Sequence, residues 1–180
     1  MTLLLLALVI LPPCRANAED IIGPDLVFNG STVRVSVTLL MEENKISLLK
    51  EGLQKVYIFY VDIFRAWSMW PDEFIRGKKI VRTIIADKVK GEYKVSSQEG
   101  DTILEKRFTT FDSMLKWAVN VKDVKFILSD LPEDGTYFIR VTVESVKQKP
   151  PQVFSYVLFF MEDKDFRDKR DSEKFTVGGR

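Results

Sequence analysis

The feature that most constrains the fold is an alternation of apolar and polar residues with a period of two. In residues 33–40, the apolar side chains Val33, Val35 and Val37 alternate with polar ones, and residues 137–144 repeat the pattern. Successive side chains of a strand point to opposite faces of a sheet, so such a segment buries one face and leaves the other in water. Both segments are predicted to be half-buried strands of an antiparallel sheet.

Residues 56–64 differ because apolar side chains occupy both alternating sets, which is typical of a central strand covered on two sides. Asn29-Gly30 supplies a tight-turn dipeptide before a strand that begins at Thr32, with a bulge as the alternative. Gly100 lies in a turn predicted between the strands 92–97 and 102–108. The remaining strands are predicted over residues 26–28, 80–89 and 124–128.

Two short segments favour helix. Residues 44–51 carry apolar side chains at helical spacing and end near Gly52, a candidate left-handed cap. Residues 111–119 have one apolar face, with Thr109 or Thr110 as the N-cap.

A third segment, residues 67–75, is ambiguous, because Pro71 can open a helical turn or end a strand. With these elements the chain is predicted to be mainly β, with antiparallel sheets packed as a sandwich and two or three short helices. A length of 180 residues fits one such domain.

Residues 1–18 have the features of a cleavable secretory signal. An apolar run over residues 3–11 is too short to span a bilayer, and the Ala-Asn-Ala triplet 16–18 matches the small residues that a signal peptidase requires. We therefore expect cleavage after Ala18 and export to the periplasm or cell envelope. A lipid anchor at Cys14 is the alternative, which the two prolines before it disfavour.

The mature chain is predicted to be a single antiparallel β domain over residues 19–161, followed by a charged C-terminal tail, 162–180. Within the domain, residues 153–161 are apolar and of ambiguous type. The tail mixes both charge signs densely, as a solvated segment does.

The absence of certain side chains limits the chemistry. The chain has no histidine, and its one cysteine, Cys14, lies in the predicted signal. The mature part would then lack an imidazole proton shuttle, a thiolate nucleophile and metal sites built on either ligand. We predict no cofactor and no metal, and we expect that the protein is not an enzyme. Paired carboxylates can still hydrolyse glycosides, so a carboxylate-based hydrolase remains an alternative.

The charges are almost balanced, with 27 basic and 26 acidic residues, and loss of Arg15 with the signal balances them fully. Nucleic-acid binding needs a clustered surplus of Lys and Arg, so no nucleic-acid partner is predicted. The segment 130–135 has acids near a glycine, but Pro132 stands where a calcium loop needs a side-chain oxygen. We predict a plain turn there.

Asp62 is the one acid in the apolar run of residues 56–64. One interpretation makes it a desolvated carboxyl with a raised pKa, useful for proton transfer. The other places it near the strand end, exposed or paired with Arg65 or Arg82. The second is favoured, because a buried unpaired acid is costly.

Several stretches, taken in order, resemble a known family. They are Gly52-Leu53 before the strand 56–63, Arg65 with Trp67 and Trp70, Glu92-Tyr93-Lys94-Val95 at the end of a long strand, a helix near 111–118, and Thr136-Tyr137-Phe138-Ile139-Arg140-Val141. This arrangement is similar to an uncharacterised bacterial family of exported proteins, domain of unknown function 4390. The resemblance covers most of the mature chain and implies an envelope-associated protein with no known activity. The charged ending and uncharged start depart from the family pattern.

An aromatic cluster is the main candidate site. Phe64, Trp67, Trp70 and Phe74 fall within one short stretch that also contains Arg65. Aromatic rings beside cations are typical of membrane-interface and partner-docking surfaces. These five residues are the predicted binding site for a partner or for lipid. The alternative is that the rings cover an open end of the sandwich.

The sequence therefore predicts an exported, non-catalytic binding or interaction domain whose partner is an envelope protein or a lipid. The alternatives are the carboxylate-based hydrolase and a carrier of lipid or another apolar ligand. A hydrolase should show two carboxyls converging in a cleft, whereas a binding domain should show an exposed aromatic patch, an open sheet edge or an apolar cavity.

Overall fold

The computed structural model describes residues 19–87, 90–146 and 164–177. Its elements, in chain order, are β1 (Asp20–Asn29), β2 (Thr32–Leu40), α1 (Glu43–Lys50), β3 (Lys55–Arg65), β4 (Glu73–Asp87), β5 (Glu92–Glu99), β6 (Thr102–Phe108), α2 (Phe111–Val119), β7 (Asn120–Ile127), β8 (Thr136–Val146), β9 (Lys164–Asp171) and β10 (Phe175–Thr176).

The strands form two antiparallel sheets. The small sheet has the order β1-β2-β7, and the large one has the order β10-β8-β3-β4-β5-β6, with β9 also paired to β8. Buried apolar side chains from both sheets, among them Val35, Phe59 and Val121, pack into one core. The predicted mainly β, sandwich-like fold with short helices is confirmed.

Strand β3 lies in the middle of the large sheet, with β4 on one side and β8 on the other. Its residues Tyr57, Phe59 and Val61 point into the core and are almost fully buried. Tyr60 and Asp62 alternate with them on the outer face and are half-buried. The prediction of a central strand is confirmed.

Tight connections set the register of the hairpins. Asn29 faces Thr32 across β1 and β2, so Gly30 and Ser31 form a two-residue turn. Gly30 has a φ of +56°, a conformation that glycine adopts without strain. The tight turn expected at this point is confirmed, and β1 extends back to Asp20.

Both helices lie where the sequence predicts them. Thr110 caps α2, because its Oγ1 accepts a hydrogen bond from the backbone N–H of Ser113 at 3.3 Å. Met114 and Ala118 of α2 are buried. After α1 the chain turns at Gly52, whose φ of +95° matches the expected left-handed cap.

The possible third helix over residues 67–75 is not formed. Residues 66–72 connect β3 to β4 without helical structure, and β4 begins at Glu73 rather than at Ile80. Phe64 faces Phe74 in the hairpin, so strand pairing continues almost to the connection. Cross-strand contacts therefore outweigh the weak helical signal of Pro71.

The C-terminal segment also differs from the expected solvated tail. Strand β9 pairs along β8, and β10 pairs with the beginning of β8. The charges of β9 meet acids and bases on neighbouring strands: Arg167 pairs with Glu144, and Asp171 accepts two hydrogen bonds from Arg140. The mixed charges form cross-strand ion pairs. The segment therefore lacks the apolar alternation by which a strand is predicted from sequence.

Some expectations fall on residues that the structure does not describe. They are the secretory signal over residues 1–18 with Cys14, and the apolar segment 153–161 with the prolines before it. Neither helix in the described part of the chain combines the length and apolarity needed to cross a membrane.

Arg82 is a buried cation between the large sheet and α2. Its side chain is only 7% exposed, its guanidinium lies 3.8 Å from the ring centre of Trp117, and it donates a hydrogen bond to the Trp117 carbonyl at 3.1 Å. No carboxylate of the described residues pairs with it, and its Nε has no hydrogen-bond partner. Burial lowers the pKa of Arg82 to about 10, so the guanidinium is still charged at neutral pH.

We expect Arg82→Met to raise the melting temperature, because methionine fills similar space without a buried charge. The pKa of Arg82 is lower in the folded protein than in the unfolded chain. The charged guanidinium therefore lowers the stability of the fold by its full amount below about pH 10 and by less above it. Thermal unfolding at pH 7 measures the gain. Arg34→Met, on the exposed part of β2, is the control and should change little. A lower melting temperature for Arg82→Met would show that the charge stabilises the fold.

Candidate interaction surface at the loop end

One end of the sandwich carries two connections between strands. The β3–β4 connection, residues 66–72, and the β7–β8 connection, residues 128–135, are here called the loop end. The Arg65 guanidinium lies 3.4 Å from Asp134, and Arg76 pairs with Asp130 at 2.6 Å. These ion pairs join the end of β3 and the first part of β4 to the β7–β8 connection.

The β3–β4 connection and the start of β4 expose large apolar side chains to solvent. Met69 is 89% exposed, Trp70 is 77% exposed, Phe74 is 57% exposed and Trp67 is 43% exposed. We call these four residues the aromatic tip. Large apolar side chains at such exposure contribute little to the core, so the tip is an exposed apolar patch of the kind that marks interaction sites.

Two of the predicted site residues hold the tip in place. The Arg65 guanidinium lies 4.3 Å from the ring centre of Trp67, whose indole N–H donates a hydrogen bond to Glu73 at 3.3 Å. Phe64 lies beneath the tip and contacts Phe74 edge to face, with ring centres 5.7 Å apart. Arg65 and Phe64 therefore support the surface.

The five predicted residues thus lie together, but in two layers. Trp67, Trp70 and Phe74 are in the exposed layer, and Phe64 and Arg65 are in the supporting one. Met69, the most exposed of the tip residues, was missed in the sequence prediction. Its position between two tryptophans of an apolar connection was the signal that could have found it.

The supporting layer includes residues that are distant in sequence. Phe138 of β8 stacks on Phe64 with ring centres 5.5 Å apart, and the Arg140 guanidinium lies 4.8 Å from the Phe64 ring centre. Asp171 binds Arg140 through two hydrogen bonds of 2.7 and 2.8 Å. Strands β8 and β9 thereby stabilise the base of the aromatic tip.

The cationic side chains near the tip already contact acids or an aromatic ring. Arg65 and Arg76 pair with the acids of the β7–β8 connection, Lys78 pairs with Glu99 at 2.7 Å, and the Lys79 ammonium lies over the Tyr60 ring. The loop end itself contains four acids and no Lys or Arg. These acids are Asp72, Asp130, Glu133 and Asp134.

The turn at residues 130–135 directs two of its three acids, Asp130 and Asp134, to arginines. Asp130 accepts two hydrogen bonds from Arg76, and these bonds lower the pKa of Asp130 below its ordinary value. No cluster of three or more potential metal-ligating side chains occurs in residues 19–87, 90–146 and 164–177.

Asp62 lies on the outer face of β3, opposite Arg140 of β8. The cation that acts on its charge is therefore Arg140, and not Arg65 or Arg82 as the sequence suggested. Burial raises the pKa of Asp62, and attraction to Arg140 opposes this rise only in part. The carboxylate fits there because position 77 is glycine: a Cβ at Gly77 would lie 1.8 Å from an Asp62 oxygen.

We expect Asp62→Asn to raise the melting temperature at pH 7, because a raised pKa means that folding disfavours the charged carboxyl. For such an acid the cost is present above the folded-state pKa and disappears below the unfolded-state value of about 4. The gain should therefore shrink as the pH is lowered from 7 to 4 in a series of thermal melts. Asp101→Asn, in an exposed turn, is the control. A gain that grows on acidification would contradict this assignment.

Together, the fold and this surface define a small antiparallel β-sandwich domain with an exposed aromatic hairpin connection. The chain belongs to the family described as Domain of unknown function (DUF4390), whose model matches residues 23–173. This confirms the resemblance seen in the sequence. Comparisons with curated proteins and with solved structures give no match.

Proposed function

We propose that this protein is an exported, non-catalytic interaction domain whose aromatic tip docks into an apolar pocket of a protein partner with a basic rim. The observation that carries the proposal is the exposure of Met69 and Trp70 at 89% and 77%. Tryptophan, methionine and arginine are enriched at the centres of protein interfaces, where burial of a few large side chains provides most of the affinity.

The exposure of Met69 and Trp70 also weighs against the interpretation that the aromatic residues only cover an open end of the sandwich. If the rings served to cover an open end of the sandwich, the rings themselves would be buried. Phe64 and Phe138, which stack on each other on the outer face of the large sheet, are the shielded rings of this region, and Phe138 is 3% exposed. Trp70 and Met69 project beyond them into solvent.

Charge favours a protein partner over a lipid surface. Anionic lipids attract unpaired Lys and Arg, whereas Arg65 and Arg76 are paired with Asp134 and Asp130. The surplus of acids at the loop end would repel an anionic headgroup layer. A partner with Lys or Arg around an apolar pocket would complement both the charge and the apolar tip.

The two other functions have less support. The acids Asp72 and Asp171 both approach Arg140, at 3.8 and 2.7 Å, and so serve as ion-pair partners of an arginine on a sheet face. The space between the sheets is filled by side chains such as Val35, Phe59 and Ile139, which are fully buried. A hydrolase would need two carboxyls that converge in a cleft, and a carrier would need an apolar cavity between the sheets.

Photocrosslinking in intact cells tests the docking proposal. With p-benzoylphenylalanine in place of Trp70, we expect one protein adduct, which disappears when Met69→Ser is added. The same probe in place of Lys122, which is exposed on β7, is the matched control and should give no such adduct. The purified partner should bind the wild-type protein more weakly as salt concentration rises. Adducts with lipid alone, equal labelling at both positions, or salt-independent binding would contradict the proposal.

The export part of the proposal rests on residues 1–18 of the sequence. N-terminal sequencing of the protein purified from fractionated cells tests it. We expect a mature chain that begins at Glu19 in the envelope or periplasmic fraction. A chain that retains Met1 in the cytosolic fraction would contradict export.

A further inference from the structure

We propose that the domain has a second binding site beside the loop end, a furrow that binds an extended, basic peptide segment by its apolar side chains. The furrow begins as an open surface cavity of about 740 Å³ where the β1–β2 turn, the β7–β8 connection and β10 meet. Its wall includes Phe28 from the small sheet, Leu128 and Leu131 from the β7–β8 connection, and Phe175 from β10. This volume is within the range of small-molecule and side-chain pockets.

The furrow continues past a pair of aromatic rings. A second cavity of about 560 Å³ shares Phe28 and Phe175 with the first and extends along Pro24 and Leu26 of β1. The ring centres of Phe28 and Phe175 are 5.1 Å apart, so these rings form the ridge between the two cavities. Two adjacent cavities suit an extended segment that places one side chain in each.

The rim of the furrow is acidic. Glu133 lines the first cavity, and Asp25, Asp171 and Glu173 line the second, where Lys174 is the one basic residue in the lining. Asp171 is bound to Arg140, whereas the other three acids are exposed and can contact a bound ligand. A ligand with Lys or Arg beside its apolar side chains complements this rim, whereas a fatty acid or phospholipid would bring like charge to it.

Strand β10 supplies a further contact. It is the terminal strand in the order of the large sheet, and among the described residues it pairs with β8 on one side only. Its other edge can accept the backbone of an extended segment, as open sheet edges do in peptide-binding domains. The furrow therefore offers backbone, apolar and acidic contacts to one ligand of the proposed type.

This second site is independent of the aromatic tip, because none of the tip residues lines either cavity. The probe is a fluorescein-labelled Lys-Lys-Phe-Leu-Lys-Lys peptide, titrated with the complete mature chain and followed by anisotropy. The matched control is Glu-Glu-Phe-Leu-Glu-Glu, which keeps the apolar pair and reverses the charge. We expect saturable binding of the basic peptide and no binding of the acidic one.

Two variants locate the binding. Thr176→Trp fills the first cavity and Glu133→Lys reverses its rim charge, and each should weaken binding by roughly tenfold or more while the thermal melt is unchanged. Trp70→Ser should leave peptide affinity unchanged, so failure of the furrow and failure of the tip are distinguishable. The proposal is overturned if both peptides bind equally, if Thr176→Trp has no effect, if Trp70→Ser abolishes binding, or if decanoate displaces the peptide.

Discussion

Replacement of Phe59 by alanine is expected to lower the free energy of unfolding by about 3–5 kcal/mol. The Phe59 ring is fully buried in β3, the strand between β4 and β8, and it is part of the core shared by both sheets. Its truncation removes buried apolar area and leaves a cavity that the surrounding strands cannot close. Because domains of this size are stable by about 5–15 kcal/mol, the loss is a large part of the total. Urea unfolding of both proteins measures it.

Phe74→Ala is the matched control, since it removes the same ring from a site that is 57% exposed. We expect a loss of about 1 kcal/mol or less there. If the two variants were equally destabilised, the inner face of β3 would not be the centre of the core. Phe59→Leu should retain most of the stability that Phe59→Ala loses, because leucine fills much of the cavity.

The second large effect concerns Glu19, the residue that follows the predicted cleavage point. Its side chain is 1% exposed, and its carboxylate accepts hydrogen bonds from the Tyr57 hydroxyl at 2.6 Å and from the Lys45 ammonium at 2.5 Å. These bonds join the beginning of β1 to β3 and α1. We expect Glu19→Ala to cost about 2–4 kcal/mol, because it removes the anionic partner of a largely buried ammonium. Urea unfolding is again the measurement.

Glu92→Ala, in an exposed position of β5, provides the comparison and should change stability by about 0.5 kcal/mol or less. The stability loss of Glu19→Gln should lie between those of the two alanine variants, since glutamine keeps an oxygen for Tyr57 but loses the charge opposite Lys45. If Glu19→Ala were as stable as Glu92→Ala, the start of β1 would not be fixed by this carboxylate.

The sequence predicted most of the fold because alternation and helix spacing are local signals. Strands β2, β3 and β8 and the two helices lie where the patterns place them, with Gly52 in its left-handed conformation. The assignment of residues 56–64 as a central strand depended only on apolar residues on both faces, and the pairing of β3 with two neighbours confirms it.

Elements that depend on distant partners were predicted less well. Strand β9 is so rich in charge that it resembles a solvated tail, and its Arg167 and Asp171 become strand residues only because Glu144 and Arg140 face them. The early start of β4 has a similar cause, since Glu73 and Phe74 pair with the end of β3. Neither partner is visible from local periodicity.

The same distinction applies to the candidate site. The tryptophans could be found from their clustering along the chain, but most of the surrounding acids come from the β7–β8 connection, far away in sequence. The cation that attracts Asp62 is likewise Arg140 of β8, which strand pairing brings opposite it. The choice of a protein partner over lipid depends on those non-local acids and therefore required the structure.

The most direct test of the central claim is a calorimetric titration of the crosslinked partner with wild-type protein and with Trp70→Ser, together with thermal melts of both. We expect Trp70→Ser to lose about 2 kcal/mol or more of binding free energy, roughly thirtyfold in Kd, with an unchanged melting temperature. Equal affinities would contradict the account. A loss of affinity accompanied by a matching loss of stability would also contradict it, because Trp70 would then belong to the core.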